Sequence, residues 1–230
     1  MLKENAIFIA DSHYNKKNQE LKELLLKIEN KTLNPSQIIL LGDNFDFLSY
    51  QTKYFVNINQ ELITLINNLS KSYEIIYLEG NHDYNLKKLF PNIKVINREN
   101  QPFVLKYENQ KVALSHGDNF INWHYNLYCK IIRNRFLLNF LNFIDINNFL
   151  SKKIEKALEN KNICHKIEHF EELVKKRVQN YSEDIIVEGH YHQGKSYKIG
   201  NQEYINIPSL ACQKSYTIFK DGKFENVGLF

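Results

Sequence analysis

Ile38-Ile39-Leu40-Leu41-Gly42-Asp43-Asn44-Phe45-Asp46 is the stretch that decides how this chain is read. Four consecutive apolar residues end on a glycine turn that carries carboxylates, the pattern of a buried strand running into a loop. The pattern recurs. Glu74-Ile75-Ile76-Tyr77-Leu78 runs into Gly80-Asn81-His82-Asp83, Lys111-Val112-Ala113-Leu114 into His116-Gly117-Asp118, and Ile185-Ile186-Val187 into Gly189-His190-Tyr191-His192. Upstream, Ala6-Ile7-Phe8-Ile9-Ala10 meets Asp11-Ser12-His13. Helical patterns lie between the early strands, over roughly 18–30 and 56–69, with Leu21, Leu24, Leu25 and Ile28 on one face. Strand, helix, strand alternation predicts an α/β sheet in the first half. Residues 204–230 read as strands and hairpins, with Asp221-Gly222 as a turn signal.

The middle of the chain has a different texture. No Gly falls between Gly117 and Gly189, and no Pro between Pro102 and Pro208, so this region should be mostly helix. The expectation is one catalytic domain over 1–230 with a helical insertion at about 119–183; the alternative is that these helices form a layer of the core. At 230 residues there is room for either. A net charge of +4 is too small to imply nucleic acid, and none is expected as a partner. Met1-Leu2-Lys3-Glu4-Asn5 runs into a strand pattern without a signal sequence, and no apolar run approaches the ~20 residues of a spanning helix. Cys129, Cys164 and Cys212 match no zinc spacing and read as free thiols of a reducing cytoplasm.

The five loops supply two Asp (Asp11, Asp43), one Asn (Asn81) and four His (His13, His116, His190, His192), an order suited to a two-metal centre. Strand ends are where open α/β sheets place ligands. Asp11 and His13, like His190 and His192, are two apart, so an extended backbone would point each pair to one side. Carboxylate and imidazole together suit Mn, Fe, Zn, Co or Ni better than Ca. Two ions ~4 Å apart need a shared ligand, and Asp43 is the candidate.

The set D-x-H, G-D-x-x-D, G-N-H-D, H-G-D and G-H-x-H, complete and in order over residues 11–192, resembles that of the calcineurin-like metallophosphoesterases. The resemblance implies an α/β fold, a four-layer αββα sandwich with the site at the sheet edge. It implies that Asp11, His13, Asp43 and His192 hold one metal, and that Asp43, Asn81, His116 and His190 hold the other. It further implies in-line attack on phosphorus by a metal-bridging hydroxide. Two divalent ions are expected, Mn2+ first, with Fe or Zn as alternatives. In relatives with G-N-H-D, the residue matching His82 hydrogen-bonds the phosphate or protonates the leaving oxygen. An unperturbed pKa near neutral suits that acid role; the alternative is a surface histidine that caps the turn. Asp46, Asp83 and Asp118 are either partners of metal-bound imidazoles or turn and N-cap residues. His165 and His169, four apart, read as a solvated helix face, and His124 as part of a substrate pocket or a helix start.

Within 119–183, Phe136, Phe140 and Phe143 share a helical face, and Trp123, Tyr125 and Tyr128 lie upstream. Eleven Lys or Arg face seven Asp or Glu there, a surplus of +4 equal to that of the whole chain. Apolar and basic character beside such a site suits an anionic lipid at a membrane surface; the alternative is an apolar face docked on the catalytic domain. Length, motif order and a helical insertion before G-H-x-H are similar to the UDP-2,3-diacylglucosamine diphosphatase family. That resemblance implies cleavage of the pyrophosphate to UMP and 2,3-diacylglucosamine 1-phosphate, in lipid A biosynthesis. It also implies a cytoplasmic location peripheral to the inner membrane. Many relatives carry Arg where this chain has His82. The alternatives are a general cytosolic metallophosphoesterase acting on phosphoprotein or nucleotide, and a non-enzymatic scaffold binding through residues 119–183.

Overall fold

The computed structural model describes all residues 1–230. The apolar runs form strands of two sheets. In chain order the strands are β1 (Ala6–Ile9), β2 (Gln37–Leu40), β3 (Leu48–Ser49), β4 (Glu74–Leu78), β5 (Asp83–Tyr84), β6 (Lys94–Ile96), β7 (Phe103–Tyr107), β8 (Gln110–Ser115), β9 (Ile185–Glu188), β10 (Ser196–Ile199), β11 (Gln202–Asn206), β12 (Ser215–Lys220) and β13 (Lys223–Gly228). One six-stranded sheet has the order β13-β12-β1-β2-β4-β6, and a five-stranded sheet has β10-β11-β9-β8-β7; β3 and β5 form a small ribbon. The helices are α1 (Glu20–Glu29), α2 (Lys53–Ile58), α3 (Gln60–Leu69), α4 (Trp123–Ile132), α5 (Arg135–Ile144), α6 (Phe149–Glu159), α7 (Phe170–Arg177) and α8 (Leu210–Gln213). The helix expected over 56–69 is two, separated at Asn59.

Alternation along the strands creates the layers. Phe8, Ile39, Ile76 and Leu78 of the first sheet meet Val112, Leu114, Ile185, Val187 and Ile205 of the second, a sheet-on-sheet core. The opposite face of the first sheet, with Ile7, Ile9, Ile38 and Tyr77, buries the apolar stripes of α1 and α3. The opposite face of the second sheet, with Ala113, Ile186 and Tyr204, takes Phe170, Val174 and Val178 from α7 and the turn after it. The result is the four-layer αββα sandwich. β1, β2 and β4 run parallel in one sheet, as do β8 and β9 in the other, so the loops beyond their C-terminal ends gather at one edge.

Residues 119–183 divide in two. α7 belongs to the core, as above. α4, α5 and α6 stand outside it, with Phe136, Phe143 and Phe149 exposed by 87%, 84% and 71%. Their inner side attaches to the first half of the chain. Asn142 accepts from the Lys53 backbone N–H at 2.9 Å, and Glu155 accepts from Tyr54 Oη at 2.6 Å and Lys16 Nζ at 3.0 Å. Two arginines counted in the basic surplus are buried: Arg133 against Asp118 and Arg177 against Glu188. The solvent-facing remainder is nine cations against seven anions.

The cysteine expectation is corrected. Cys164 and Cys212 are joined in a disulfide, and Cys129 alone is free, buried in α4. Forty-eight residues separate the partners, so no local pattern announces the pair; the fold brings the segment after α6 against α8.

Candidate metal centre

The loops after β1, β2, β4, β8 and β9 bring all seven predicted side chains to the shared sheet edge. Asp11, His13 and His192 present ligand atoms within 4.8 Å of one another, and so do Asp43, His116 and His190. The groups abut. His190 Nδ1 lies 3.3 Å from His116 Nε2, which is 3.5 Å from Asp43 Oδ2 and 3.2 Å from Asn81 Oδ1. His192 Nε2 lies 3.2 Å from Asp11 Oδ1.

The convergence does not come from extended backbone, as the two-residue spacing predicted. Asp11, His13, Asp43, His190 and His192 all have positive φ, between 41° and 64°. Such left-handed residues cost of order 1–3 kcal/mol each and cluster where a site over-determines them. Gly42 has φ +82°, and a Cβ there would lie 2.6 Å from His116 Nδ1. At Gly80 a Cβ would come within 2.2 Å of Asp43 Oδ1, so only a hydrogen fits.

Asp83 is a hub. Its Oδ1 accepts from the backbone N–H of Asp43 and Gly80, both at 2.9 Å. Its Oδ2 accepts from Asn44 N and Tyr77 Oη, both at 2.7 Å. One buried carboxylate thus fixes the two loops that carry Asp43 and Asn81. Asp118 plays a parallel part after β8, accepting from Arg98 Nε at 2.8 Å, with Arg133 Nη2 at 3.4 Å; the same Arg133 nitrogen donates to the Gly80 carbonyl at 2.7 Å. Arg177 Nη1 donates to the Asn119 carbonyl at 2.8 Å, while its other nitrogens grip Glu188, which precedes Gly189-His190. These three arginines were invisible as site residues, because an isolated Arg on a helical or loop pattern reads as solvated. Asp46 stands 3.5 Å from His13 Nδ1, on the imidazole side rather than capping a helix.

The electrostatics are those of a cation site. Burial disfavours charge, yet the His116 and His82 imidazoles hold Asp43 well below the usual carboxylate range. Burial likewise opposes ionisation of Asp11, and His192 outweighs it. Burial lowers His116, but Asp43, Asp11 and Asp118 lift it to about 10; burial and the His116 charge push His190 down to about 4. Burial and the Asp43 charge push Asp83 up to about 7. A divalent cation beside Asp43 would displace the His116 proton and relieve Asp83 together. Asp11 Oδ1 and both ring nitrogens of His13 are buried without a hydrogen-bond partner in the protein, which a metal ion would satisfy. The donor set therefore fits divalent metal.

A small polar cavity opens over the cluster, lined by His13, Asp43, Asn81, His82, His190 and His192 on the sheet side. Lys161, Asn162, Ile163 and His165 form the facing wall. Two expectations change here. His165 is not on a helix: residues 161–167 have no regular structure, and His169 precedes α7 with φ 54°. His82 is buried, not a surface cap, and burial lowers its imidazole rather than leaving it near neutral. Its Nδ1 donates to the Asp46 carbonyl at 2.6 Å, leaving Nε2 as the free ring nitrogen. His124 stacks on Trp123 at the start of α4, away from the cavity lining.

The calcineurin-like phosphoesterase profile matches residues 5–194, most of the chain and every loop above. The protein is a calcineurin-like phosphoesterase. Family membership makes it a hydrolase of phosphoesters that works with divalent metal ions. This phosphoesterase is 24% identical over 216 residues to a UDP-2,3-diacylglucosamine hydrolase of Wigglesworthia glossinidia brevipalpis, covering 87% of this chain and 84% of the relative. A solved archaeal phosphodiesterase superposes with a TM-score of 0.51 at 13% identity, over 96% of this chain and 98% of the other; it shares the fold. No helix of this phosphoesterase is long and apolar enough to cross a membrane.

Proposed function

We propose that this phosphoesterase cleaves the diphosphate of UDP-2,3-diacylglucosamine, giving UMP and 2,3-diacylglucosamine 1-phosphate. The supporting observation is the juxtaposition of a candidate dinuclear site with an apolar slot roofed by the outer helices. Tyr14, Phe47, Phe55, Ile58 and Leu158 form the apolar side of a cavity of ≈ 80 Å³ whose polar side carries Asn15, Lys16, Gln19, Asn59 and Glu155 and reaches Asp46, a neighbour of His13. A second cavity of ≈ 50 Å³ continues from Phe47 and Phe55 to Leu138, Leu141, Leu150 and Ile154. Residues 119–169 act as a cap in this reading, and α7 as a core layer. The chain's likeness to the Wigglesworthia hydrolase points to the same substrate.

The division of labour follows from the side chains. When bound, two divalent cations supply a nucleophile at neutral pH and neutralise charge on the phosphoryl group. Asp11, His13, Asp43 and His192 would hold one ion and Asp43, Asn81, His116 and His190 the other, with Asp43 shared. Lys161, on the opposite wall, puts positive charge where the second phosphate of a diphosphate would lie, and His165 adds a ring nitrogen beside it. Neutral His82 keeps its proton on Nδ1, toward the Asp46 carbonyl, so Nε2 is an acceptor and donates only when the ring is protonated; a departing phosphate ester asks little of it as an acid. The exposed Phe136, Phe143 and Phe149, with the basic surplus of residues 119–183, suit docking on an anionic membrane surface.

A second reading has an observation of its own. The larger of the two cavities has room for on the order of five waters, and polar groups make up much of its lining. A general phosphoesterase acting on phosphoprotein or nucleotide needs no larger slot. Incubation with Mn2+ and UDP-2,3-diacylglucosamine separates the two. Metal-dependent release of UMP is expected. Hydrolysis of simple phosphodiesters or phosphopeptides without UMP release would overturn the lipid reading.

A further inference from the structure

Hydrolysis needs no cystine, yet Cys164 and Cys212 are bonded beside the metal-centre cavity, in an adjoining pocket that shares His165 and His192 with it. Cys164 lies between Ile163 and His165, both on the cavity wall. Cys212 lies in α8, whose first turn is held to the Asp11 loop: Ser209 Oγ donates to the Asp11 carbonyl at 2.8 Å, and Ala211 N donates to it at 3.3 Å. His192 sits between the two. Its Nδ1 donates to the Ile163 carbonyl at 2.9 Å and lies 3.7 Å from Cys212 Sγ, while Nε2 faces Asp11.

A metal-binding imidazole is oriented by the group that accepts from its other nitrogen. For His116 that group is the Leu41 carbonyl, 2.8 Å away at the end of a central strand. For His192 it is a carbonyl of the cap, in a segment without regular structure and with mostly exposed side chains. Few other ties hold that segment: Gln193 Nε2 to the His165 carbonyl at 2.9 Å, Ile167 N to Gln193 Oε1 at 3.1 Å, exposed Lys17 to the Glu159 carbonyl at 3.2 Å, and, at its far end, Ile167 packed against the α7 core.

We propose that the Cys164–Cys212 disulfide is a redox-controlled positioning device, which keeps the Ile163 carbonyl on His192 and so makes metal affinity at the Asp11–His13–His192 group depend on thiol state. The inference rests on reading that group as a metal site and not on the identity of the substrate. Opening the device consumes two electrons and two protons from a dithiol reductant. The S–S bond breaks, Cys164 and Cys212 become thiols, and the reductant leaves as its own disulfide. Exchange with a small-molecule disulfide reverses the step and releases two thiols. The exposure of Cys164 gives such reagents access. Reduction loosens the cap segment over the cavity and frees the His192 ring to turn.

The test is calorimetric titration of the full metal-stripped chain with Mn2+. Five samples are compared: the parent chain oxidised, the parent chain reduced and desalted under argon, Cys164→Ser, and His13→Ala in each thiol state. Alkylation and intact mass count the thiols. The oxidised chain should show one free thiol and bind two ions. Reduction and Cys164→Ser should each weaken one site by ten- to a hundredfold, the effect expected for losing an orienting partner. Cys164→Ser should not respond to reductant, and His13→Ala should abolish the thiol-sensitive event while leaving the other. Identical isotherms in both thiol states, an effect that survives in His13→Ala, or three free thiols in the oxidised chain would overturn the proposal. Two-ion binding that ignores thiol state overturns this inference alone. Failure to bind metal in every form overturns it together with the hydrolase reading, and failure to release UMP bears only on the substrate.

Discussion

Replacing Asp83 tests whether one buried carboxylate holds the site together. Asp83→Ala strands three donors at once, the backbone N–H groups of Asp43 and Asn44 and the Tyr77 hydroxyl, while Gly80 N–H keeps the Asp83 carbonyl as an acceptor. Asp83 itself is fully buried, so water does not easily replace it. At about 1 kcal/mol or more for each stranded donor, the loss is about 3 kcal/mol. For a chain of this size about 2–4 °C of Tm accompanies each kcal/mol, so melting should fall by about 6–12 °C. Asp83→Asn keeps the shape and one acceptor oxygen, and turns an amide N–H toward the donors that the other oxygen served. Its loss should be about half as large, which leaves a folded protein for the second measurement. Because two of the stranded donors lie in the loop of Asp43, Mn2+ affinity should fall in Asp83→Asn by about tenfold or more at the Asp43–His116–His190 group. Circular dichroism melts with and without Mn2+, followed by titration calorimetry, read both effects. If Asp83→Ala melts within 2 °C of the parent chain and binds two ions with parental affinity, the hub argument is wrong.

Three further outcomes are expected. His82→Ala should reduce hydrolysis of alkyl phosphoesters by about 10²–10⁴ but that of a pyrophosphate only about a few-fold, because the poorer leaving group needs a proton, which Nε2 carries only in the protonated ring; equal losses on both substrates argue against an acid role. In the metal-free chain His116 is raised to about 10, so its stabilising contribution is complete below the unfolded value near 6.5 and disappears as pH rises through about 10. It follows that Mn2+ binding at pH 7.5 should expel about one proton from His116 and tighten as pH rises toward 10. Calorimetry in buffers of different ionisation enthalpy measures this, and no buffer dependence would refute it. The double variant Phe136→Asp/Phe143→Asp alters side chains already in solvent, so its melting should match the parent, while co-sedimentation with phosphatidylglycerol vesicles should drop several-fold. Unchanged sedimentation would remove the membrane surface from the functional reading.

The sandwich was legible because each buried strand announces itself as an apolar run stopped by a polar or Gly-bearing loop. Ile38–Leu41 and Ile185–Val187 have all-buried side chains, as their lack of alternation requires. The helical layers were legible where a single stripe repeats, as at Leu21, Leu24, Leu25 and Ile28. The segment 119–183 was less so. Phe136, Phe140 and Phe143 form a stripe as regular as that of α1, and periodicity carries no information on whether a stripe is covered. Here it is not, whereas the Phe170 and Val174 pair of α7 is.

The sequence by itself determined the ligand chemistry: two Asp, one Asn and four His, each placed in the loop that ends a strand, with residue types that bind divalent metal. Its apolar runs determined the α/β class, while the four layers were implied by the motif resemblance and α7 as one of them came from the fold. Tertiary structure alone decided the rest. It twisted five candidate ligands into left-handed backbone, made Asp83 the tie between two loops, buried Arg133 and Arg177 as counter-charges, and brought Cys164 to Cys212 beside His192. Each of these depends on contacts between positions far apart in the chain. The partner of a buried charge, a thiol or an imidazole is set by where the fold returns, and local pattern holds no record of that.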